Sequence, residues 1–322
     1  MAAELMIEKW SGQVSVVNIG ATKAEGGSRA QVIKIGGEKT LPFLFKEGAI
    51  PHKPQIAFEV WDVPPVDWPQ ELVKFYGKTL NDPLAWAQAC VREHRAQILC
   101  LRLQGAHPDF GNKNADEEAG FIKELLKKVE VPLIILGCGD DDKDNLILPA
   151  CSEAAKAQRC LIGSAVQDNY KTLTAAVLAD GHNIIAESPI DINIAKQLNI
   201  LISDMGLALE RIVINPTIGA LGYGLEYAYS IMERARLAAL SGDKTVASPF
   251  VCFVGQESWR AKEAKIPKAE FPLWGSESER GIMWEVLTAA ALIQAGADLL
   301  VMRHPKAAQK VNKYIDGLMN LS

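Results

Sequence analysis

Apolar residues recur along this chain in short continuous runs: Ile56–Val60, Ile98–Leu103, Leu133–Leu136, Cys160–Ile162, Asn183–Ala186, Ile212–Ile214, Phe250–Val254 and Leu299–Met302. A strand covered on both faces reads this way, whereas a strand with one wet face alternates. Between consecutive runs lies a segment of helical length. DPLAWAQACVREHR opens on Asp82 with Pro83 at the first helical position. DEEAGFIKELLKKV, from Asp116, carries acids at its start and lysines at its end, as the helix dipole favours. Eight such alternations with right-handed crossovers predict parallel strands closing into a (β/α)8 TIM barrel.

The N-terminal part has a different period. WSGQVSVVNIG and SRAQVIKIGG alternate on either side of Glu25-Gly26-Gly27, the pattern of a β-hairpin with a glycine turn. The Pro-rich stretch TLPFLFKEGAIPHKP then reads as an irregular connector. The expected organisation is a hairpin and connector over residues 1–54 and a barrel over 55–322.

Residues 211–240 combine the strongest local signals. The β-branched run Ile212–Ile214 meets Asn215-Pro216, then a loop with Gly219, Gly222 and Gly224, then an amphipathic helix. Proline ends the strand because it cannot donate to a sheet ladder, and the glycines permit positive φ and either close approach of another molecule or, at Gly224, only tight packing of strand against helix. No phosphate-binding fingerprint is present: after Gly222-Tyr223-Gly224 the third glycine of the dinucleotide motif is missing, and no Gly-Lys-Ser/Thr occurs.

In a TIM barrel ligands are handled where strands end. Those positions are Trp61 and Asp62; Gln104 and His107; Gly137 to Asp140; Ser164; Glu187 and Ser188; Asn215 and Thr217; Gly255 and Gln256; Arg303 and His304. No lysine ends a strand, which argues against Schiff-base chemistry, and neither a pair of histidines with a carboxylate nor a trio of carboxylates is found there. A neutral, polar rim suits a large hydrogen-bonding ligand. One connection is long: about two dozen residues separate Val254 from the helix near Ser278, and Trp259, Phe271 and Trp274 on it either anchor a partner or fold down against the barrel.

Composition narrows the classes further. The chain has 322 residues, 48% of them apolar, with a net charge of −5. With a pI near 5.7, a basic field for nucleic acid is missing. No apolar run reaches the roughly 18 residues of a membrane span, and MAAELMIEKW has no signal-peptide core, so a cytoplasmic protein is expected. Six cysteines lie far apart without a C-x-x-C pair, so no iron–sulfur cluster is expected in this chain.

Three segments carry a family resemblance. NPTIGALGYGLEYAYSIMERARLAAL (215–240), GSESERGIMWE (275–285) and LLVMRHP (299–305) resemble the small subunit of the corrinoid iron–sulfur protein, whose archaeal counterpart is the delta subunit of the acetyl-CoA decarbonylase/synthase complex. The similarity extends from about Phe45 to the C-terminus. It implies a barrel subunit that pairs with a larger, cluster-bearing subunit and holds a cobamide between them. That cobamide accepts a methyl group from methyltetrahydrofolate through a separate methyltransferase and passes it to acetyl-CoA synthase. A corrinoid signature, Asp-x-His-x-x-Gly, is begun by Asp180-Gly181-His182 but Ile185 stands where glycine is needed, and His182 precedes its strand, at the bottom of the barrel. A pterin-dependent methyltransferase of the same fold is the alternative; Asp62 and Asn215 are its candidates for converging on a pterin.

For the resemblance, the expected cobamide-facing residues are Gln104, Ser164, Glu187, Asn215, Thr217, Gly219, Leu221, Gly222, Tyr223, Gly224, Arg303 and His304. Thr217 to Gly224 with Arg303 would form the principal surface, Arg303 meeting the nucleotide-tail phosphate or pairing with Glu285 or another acid. No catalytic residue and no cobalt ligand is expected from this chain: His107 and His304 are each followed by proline, which holds them in loop geometry. The interface with the large subunit should be of permanent size, roughly 2,000 Å² or more.

Overall fold

The computed structural model describes residues 6–320. Strands β1 (Val16–Ile19) and β2 (Ile33–Gly36) pair antiparallel, from Val16 opposite Gly36 to Ile19 opposite Ile33. Then follow β3 (Gln55–Trp61), β4 (Ile98–Arg102), β5 (Leu133–Leu136), β6 (Leu161–Ala165), β7 (Asn183–Glu187), β8 (Ile212–Asn215), β9 (Phe250–Cys252) and β10 (Ala297–Met302). These eight are parallel and closed in sequence order, β10 bonding both β9 and β3. The helices are α1 (Gln70–Tyr76), α2 (Pro83–Arg92), α3 (Ala115–Lys128), α4 (Asp141–Ala154), α5 (Tyr170–Asp180), α6 (Ile192–Asp204), α7 (Leu225–Leu240), α8 (Val254–Arg260), α9 (Lys262–Lys265), α10 (Glu277–Ala295) and α11 (Pro305–Met319).

The predicted eight-stranded barrel is present, with small shifts that have local causes. Asp82 caps α2, its carboxylate accepting the N–H groups of Leu84 and Ala85. The cap of α3 is Asn114, two residues before Asp116, in a reciprocal box with Glu117. β9 stops at Cys252 because Phe253 already turns into α8. The β1–β2 connection departs from the expected glycine turn. It spans residues 20–32, with a short 3₁₀ turn at Lys23–Glu25, because its own backbone is bonded to the barrel: Gly20 N–H to Arg159 O (2.8 Å) and Ala30 N–H to Glu130 O (2.7 Å).

Within each continuous run the period of two still sorts residues. Ile98 and Cys100 of β4 and Leu299 and Val301 of β10 point into the barrel, whereas Leu99, Leu101, Leu300 and Met302 pack under the helices. Val17, Ile19 and Ile35 of the hairpin join the inner group, so the hairpin plugs the floor of the barrel. Full burial of each such side chain is worth about 1.5–3 kcal/mol.

Polar groups pin this floor in place. Arg236 on α7 is 2% exposed; its guanidinium donates to Glu38 in the connector (3.1 Å), to Gly296 O (2.6 Å) and to Asp298 on β10 (3.0 Å). Burial, then the neighbouring charge of Asp298, pushes the Glu38 carboxyl up. His182 is buried at the same end, its Nδ1 accepting Cys160 N–H (3.0 Å) and its Nε2–H facing Ser152 O (2.9 Å). Both ring nitrogens are thus used in the fold, far from the mouth. Removing one partner of a buried ion network leaves uncompensated charge, so Arg236→Ala should lower unfolding free energy by about 3–5 kcal/mol in a denaturant titration. A loss below about 1 kcal/mol would mean that the connector is not anchored by this residue.

Candidate functional site

The mouth of the barrel is organised by a charge inside it. Glu59 lies on β3 two residues after the inward Ala57, fully buried. Its carboxylate accepts from Trp61 Nε1 (2.8 Å), Arg102 Nε (3.0 Å), Arg303 Nε (2.7 Å) and Arg303 Nη2 (3.0 Å). Burial alone would raise this carboxyl, but Arg303 and then Arg102 outweigh it and hold it well below the usual carboxylate range. Two guanidiniums on one carboxylate leave one positive charge in excess. Arg303 is enclosed, its guanidinium 4.7 Å from the Trp68 ring and 5.7 Å from Trp61. Arg102 reaches the opening, donating to Gln256 Oε1 (2.6 Å) and crossing the Phe253 ring at 5.9 Å.

Two cavities open above this cluster. A central one of about 240 Å³ is lined by Arg102, Ser164, Glu187, Asn215, Thr217 and Gln256 among others. A lateral one of about 470 Å³ is bordered by Trp61, Gln104, His107, Phe110, Arg260 and Arg303. They meet at Arg102, Gly139 and Gln256, giving one broad polar basin. Asn215 Nδ2 donates to Glu187 Oε2 (2.9 Å) and Asn215 Oδ1 accepts Thr217 N–H (3.1 Å), while the Thr217 hydroxyl donates to Ser188 O (2.9 Å). These bonds hold Thr217 at φ 55°, unusual for a β-branched residue.

The predicted residues divide. Ser164, Glu187, Asn215 and Thr217 meet in the central cavity, and Gln104 and Arg303 border the lateral one. The Arg303 side chain pairs with an acid, but that acid is Glu59 and not Glu285. Glu285 instead accepts the backbone N–H of Arg303 (2.6 Å) and of His304 (3.2 Å) and the Trp259 indole N–H (2.9 Å). His304 faces inward as the cap of α11, Nδ1 accepting Lys306 N–H (3.1 Å); burial pushes its imidazole down to about 4. Gly219, Leu221, Gly222, Tyr223 and Gly224 lie outside both cavities. The outer loop is fastened to other elements: Leu221 N–H to Thr288 Oγ1 (3.2 Å), Trp284 Nε1 to Leu221 O (3.1 Å), and the Tyr223 hydroxyl to Glu263 (2.8 Å). Gly222 has φ 78° and open space where a Cβ would stand.

The long connection after β9 is structured as α8 and α9. Trp259 is fully buried rather than presented to a partner, and a Cβ on Gly281 would lie 2.2 Å from its ring. Phe271 and Trp274 do face outward, stacked at 4.3 Å, with Leu273 between them fully exposed. Charges hidden in apolar runs were the residues that patterning passed over: Glu59 and Arg102 interrupt IAFEV and ILCLR, and that interruption was their signal. Lys113 was missed because it enters from a loop, with Nζ 2.6 Å from Asp62 Oδ2. Asp62 is thereby turned aside and lines neither cavity. All six cysteines are buried and unpaired, and among the described residues no three His, Cys, Asp or Glu side chains are placed to hold a metal ion.

Against this geometry, residues 17–312 match a family model described as CO dehydrogenase/acetyl-CoA synthase delta subunit. The acetyl-CoA decarbonylase/synthase complex subunit delta of Methanocaldococcus jannaschii is 35% identical over 93% of this chain and 72% of its own length. That of Methanopyrus kandleri is 35% identical over 93% and 74%. Among solved structures, dihydropteroate synthase of Xanthomonas albilineans with 7,8-dihydropteroate superposes with a TM-score of 0.55 at 14% identity, covering 84% of this chain and 96% of that one. The enzyme from Coxiella burnetii with pteroic acid gives 0.54 at 14%, over 88% and 99%. At such identity the likeness is one of fold alone.

Beside the basin, Glu118 on α3 is fully buried with neither carboxylate oxygen hydrogen-bonded, 3.9 Å from Lys113 Nζ. Burial, then the charge of Asp62, pushes its carboxyl up to about 8. The folded protein therefore binds a proton that the unfolded chain releases near pH 4.5, so this group's contribution to stability falls as pH rises from about 4.5 to about 8. Glu118→Gln should make stability between those limits less pH-dependent, by up to about 1.4 kcal/mol per pH unit. Identical slopes in denaturant titrations of both proteins would show that Glu118 ionises normally.

Proposed function

Because the chain belongs to the CO dehydrogenase/acetyl-CoA synthase delta-subunit family, we propose that it is the barrel subunit that covers one face of a cobamide held against a larger, cluster-bearing subunit. In this reading it serves methyl transfer between a methyltetrahydrofolate methyltransferase and acetyl-CoA synthase, in the cytoplasm. No helix among the described residues is long and apolar enough to cross a membrane.

The observation that carries the reading is the joined basin at the strand ends. A corrin ring is broader than either cavity and would rest across both, with Ser164, Asn215, Thr217, Gln104 and Gln256 offering neutral hydrogen-bonding groups and Arg102 one unbalanced positive charge. These donors and acceptors fit a ligand edged with amides. Arg303 fits a supporting role, since its guanidinium is already engaged by Glu59 and keeps the floor of the basin rigid. When bound, the cobalt supplies the methyl-accepting and methyl-donating chemistry; the protein supplies orientation and cover. His304 is engaged in the fold, and His107, which borders the lateral cavity, has its Nδ1 taken by Asp109 N–H (3.1 Å) and is not assigned to the metal in this reading. The alternative, a free-standing pterin-dependent methyltransferase, is not favoured by the geometry, because Asp62 does not converge with Asn215.

The complex purified with its partner subunits should be coloured and contain cobalt. Arg102→Met leaves Glu59 paired to Arg303, so assembly should persist while cobamide affinity falls about tenfold or more, as loss of a charged hydrogen-bonding group implies. A cobalt-free wild-type complex, or a variant with full cobamide content by absorption, would refute this assignment. For the partner, Leu273→Glu on the exposed aromatic platform should weaken co-elution of the large subunit in size-exclusion chromatography without lowering the melting temperature. Unchanged co-elution at submicromolar concentration would move the interface elsewhere.

A further inference from the structure

The central cavity has a pairing of free polar groups that the broad reading of the basin does not use. Its charged lining is mostly acidic, Arg102 standing against Asp141, Asp144, Glu187 and Glu257. Two of these acids are already engaged. Asp144 accepts the N–H groups of Cys138 (2.7 Å) and Gly139 (3.1 Å), one on each oxygen, and Glu257 is paired with the Arg260 guanidinium (3.1 Å) and takes the Gln256 amide (3.1 Å), both on Oε1. Asp141 is exposed at the first turn of α4. Glu187 differs from Glu257 in having no cation within ion-pair distance among the described residues: Oε2 takes the neutral Asn215 amide, and Oε1 has no donor among the described residues. Arg102 is its counterpart. Nε is bonded to Glu59 and Nη2 to Gln256, leaving Nη1 without an acceptor.

A ligand group entering this space must satisfy one anionic acceptor and one cationic donor together. A carboxylate answers Arg102 and is repelled by Glu187, whereas an ammonium does the reverse. A primary carboxamide has a C=O for the guanidinium and an NH₂ for the carboxylate, with no charge of its own. The walls agree with such an arm: Phe253, Ile218 and Leu136 offer apolar surface for the methylenes that would carry the amide. At about 240 Å³ the cavity admits a side arm and not a macrocycle.

We infer that the central cavity is an amide-recognition subsite that takes one peripheral carboxamide arm of the corrin, Glu187 accepting from its NH₂ and Arg102 donating to its C=O. The inference rests on the cobamide reading above and goes further, because it makes this chain discriminate between an amide and an acid at one position of the ring.

The test uses the complex of this chain with its partner subunits, stripped of corrinoid and titrated by absorption with a cobamide and with its separated monocarboxylic acid derivatives, each bearing one hydrolysed amide. One isomer should bind the wild-type complex about tenfold or more weaker than the parent, the scale set by one mismatched buried polar contact. Glu187→Gln, which can present either a donor or an acceptor, should narrow that gap to within about threefold while the parent still binds. Wild-type affinities that are equal for every isomer would overturn the inference and leave the cobamide reading intact. So would a gap that persists unchanged in Glu187→Gln. A complex that takes up no corrinoid at all would sink both. A free pterin is the other source of an N–H and C=O edge: saturable binding of a pterin to the cobamide-loaded complex, without displacement, would show that no arm fills the cavity and would also overturn it.

Discussion

One buried carboxylate, Glu59, sets what the mouth of this barrel can be. It sits on the first barrel strand, is reached by Arg102 from the second and by Arg303 from just beyond the last, and so bridges the seam where β10 closes on β3. An isolated carboxylate at that depth would be strongly disfavoured; with two guanidiniums and an indole N–H around it, it is fully satisfied. The closure of the sheet and the charge of the basin are therefore one arrangement. The surplus positive charge cannot be withdrawn without loosening the seam, and repacking the seam with apolar groups would remove the cation that stands against the acids of the central cavity.

The rest of the upper face is built to keep that cluster still. Trp61 and Trp68 bracket Arg303, the Tyr76 hydroxyl donates to Arg303 O (2.6 Å), and Glu285 fixes the backbone of Arg303 and His304 from α10. The lower face is closed by different means, with the hairpin inserted into the barrel and Arg236 locking the connector behind it. A scaffold sealed at one end and rigid at the rim of the other suits holding a large ligand in a fixed pose.

Most of the architecture was legible in the sequence because it follows from solvent exclusion, which acts residue by residue. Strands wrapped on both sides must be apolar throughout, so Ile212–Ile214 and Leu299–Met302 marked their strands directly. Caps such as Asp82 were legible for the same reason: the partners lie two or three residues away. The site was legible only in part. Ser164, Glu187, Asn215 and Thr217 follow from the rule that ligands meet strand ends. What Arg303 bonds to depends on a residue 244 positions away, and no local pattern carries that information. The direction taken by the glycine loop was not legible for a related reason. Positive φ makes the chain free to turn, but Thr288, Trp284 and Glu263 decide which way it leans, and of this loop Thr217 and Ile218 are left facing the cavity.

Trp259 and Gly281 illustrate how this fold constrains its own history. The indole occupies the space that any side chain on Gly281 would need, and its N–H is spent on Glu285, which in turn steadies the end of β10. Neither residue can drift alone. A lineage that enlarges position 281 must first shrink position 259 and then find another donor for a buried acid. The two sites lie 22 positions apart and meet only through the fold, so descent should preserve them as a pair, whereas exposed positions between them such as Lys268 and Glu270 have no such tie.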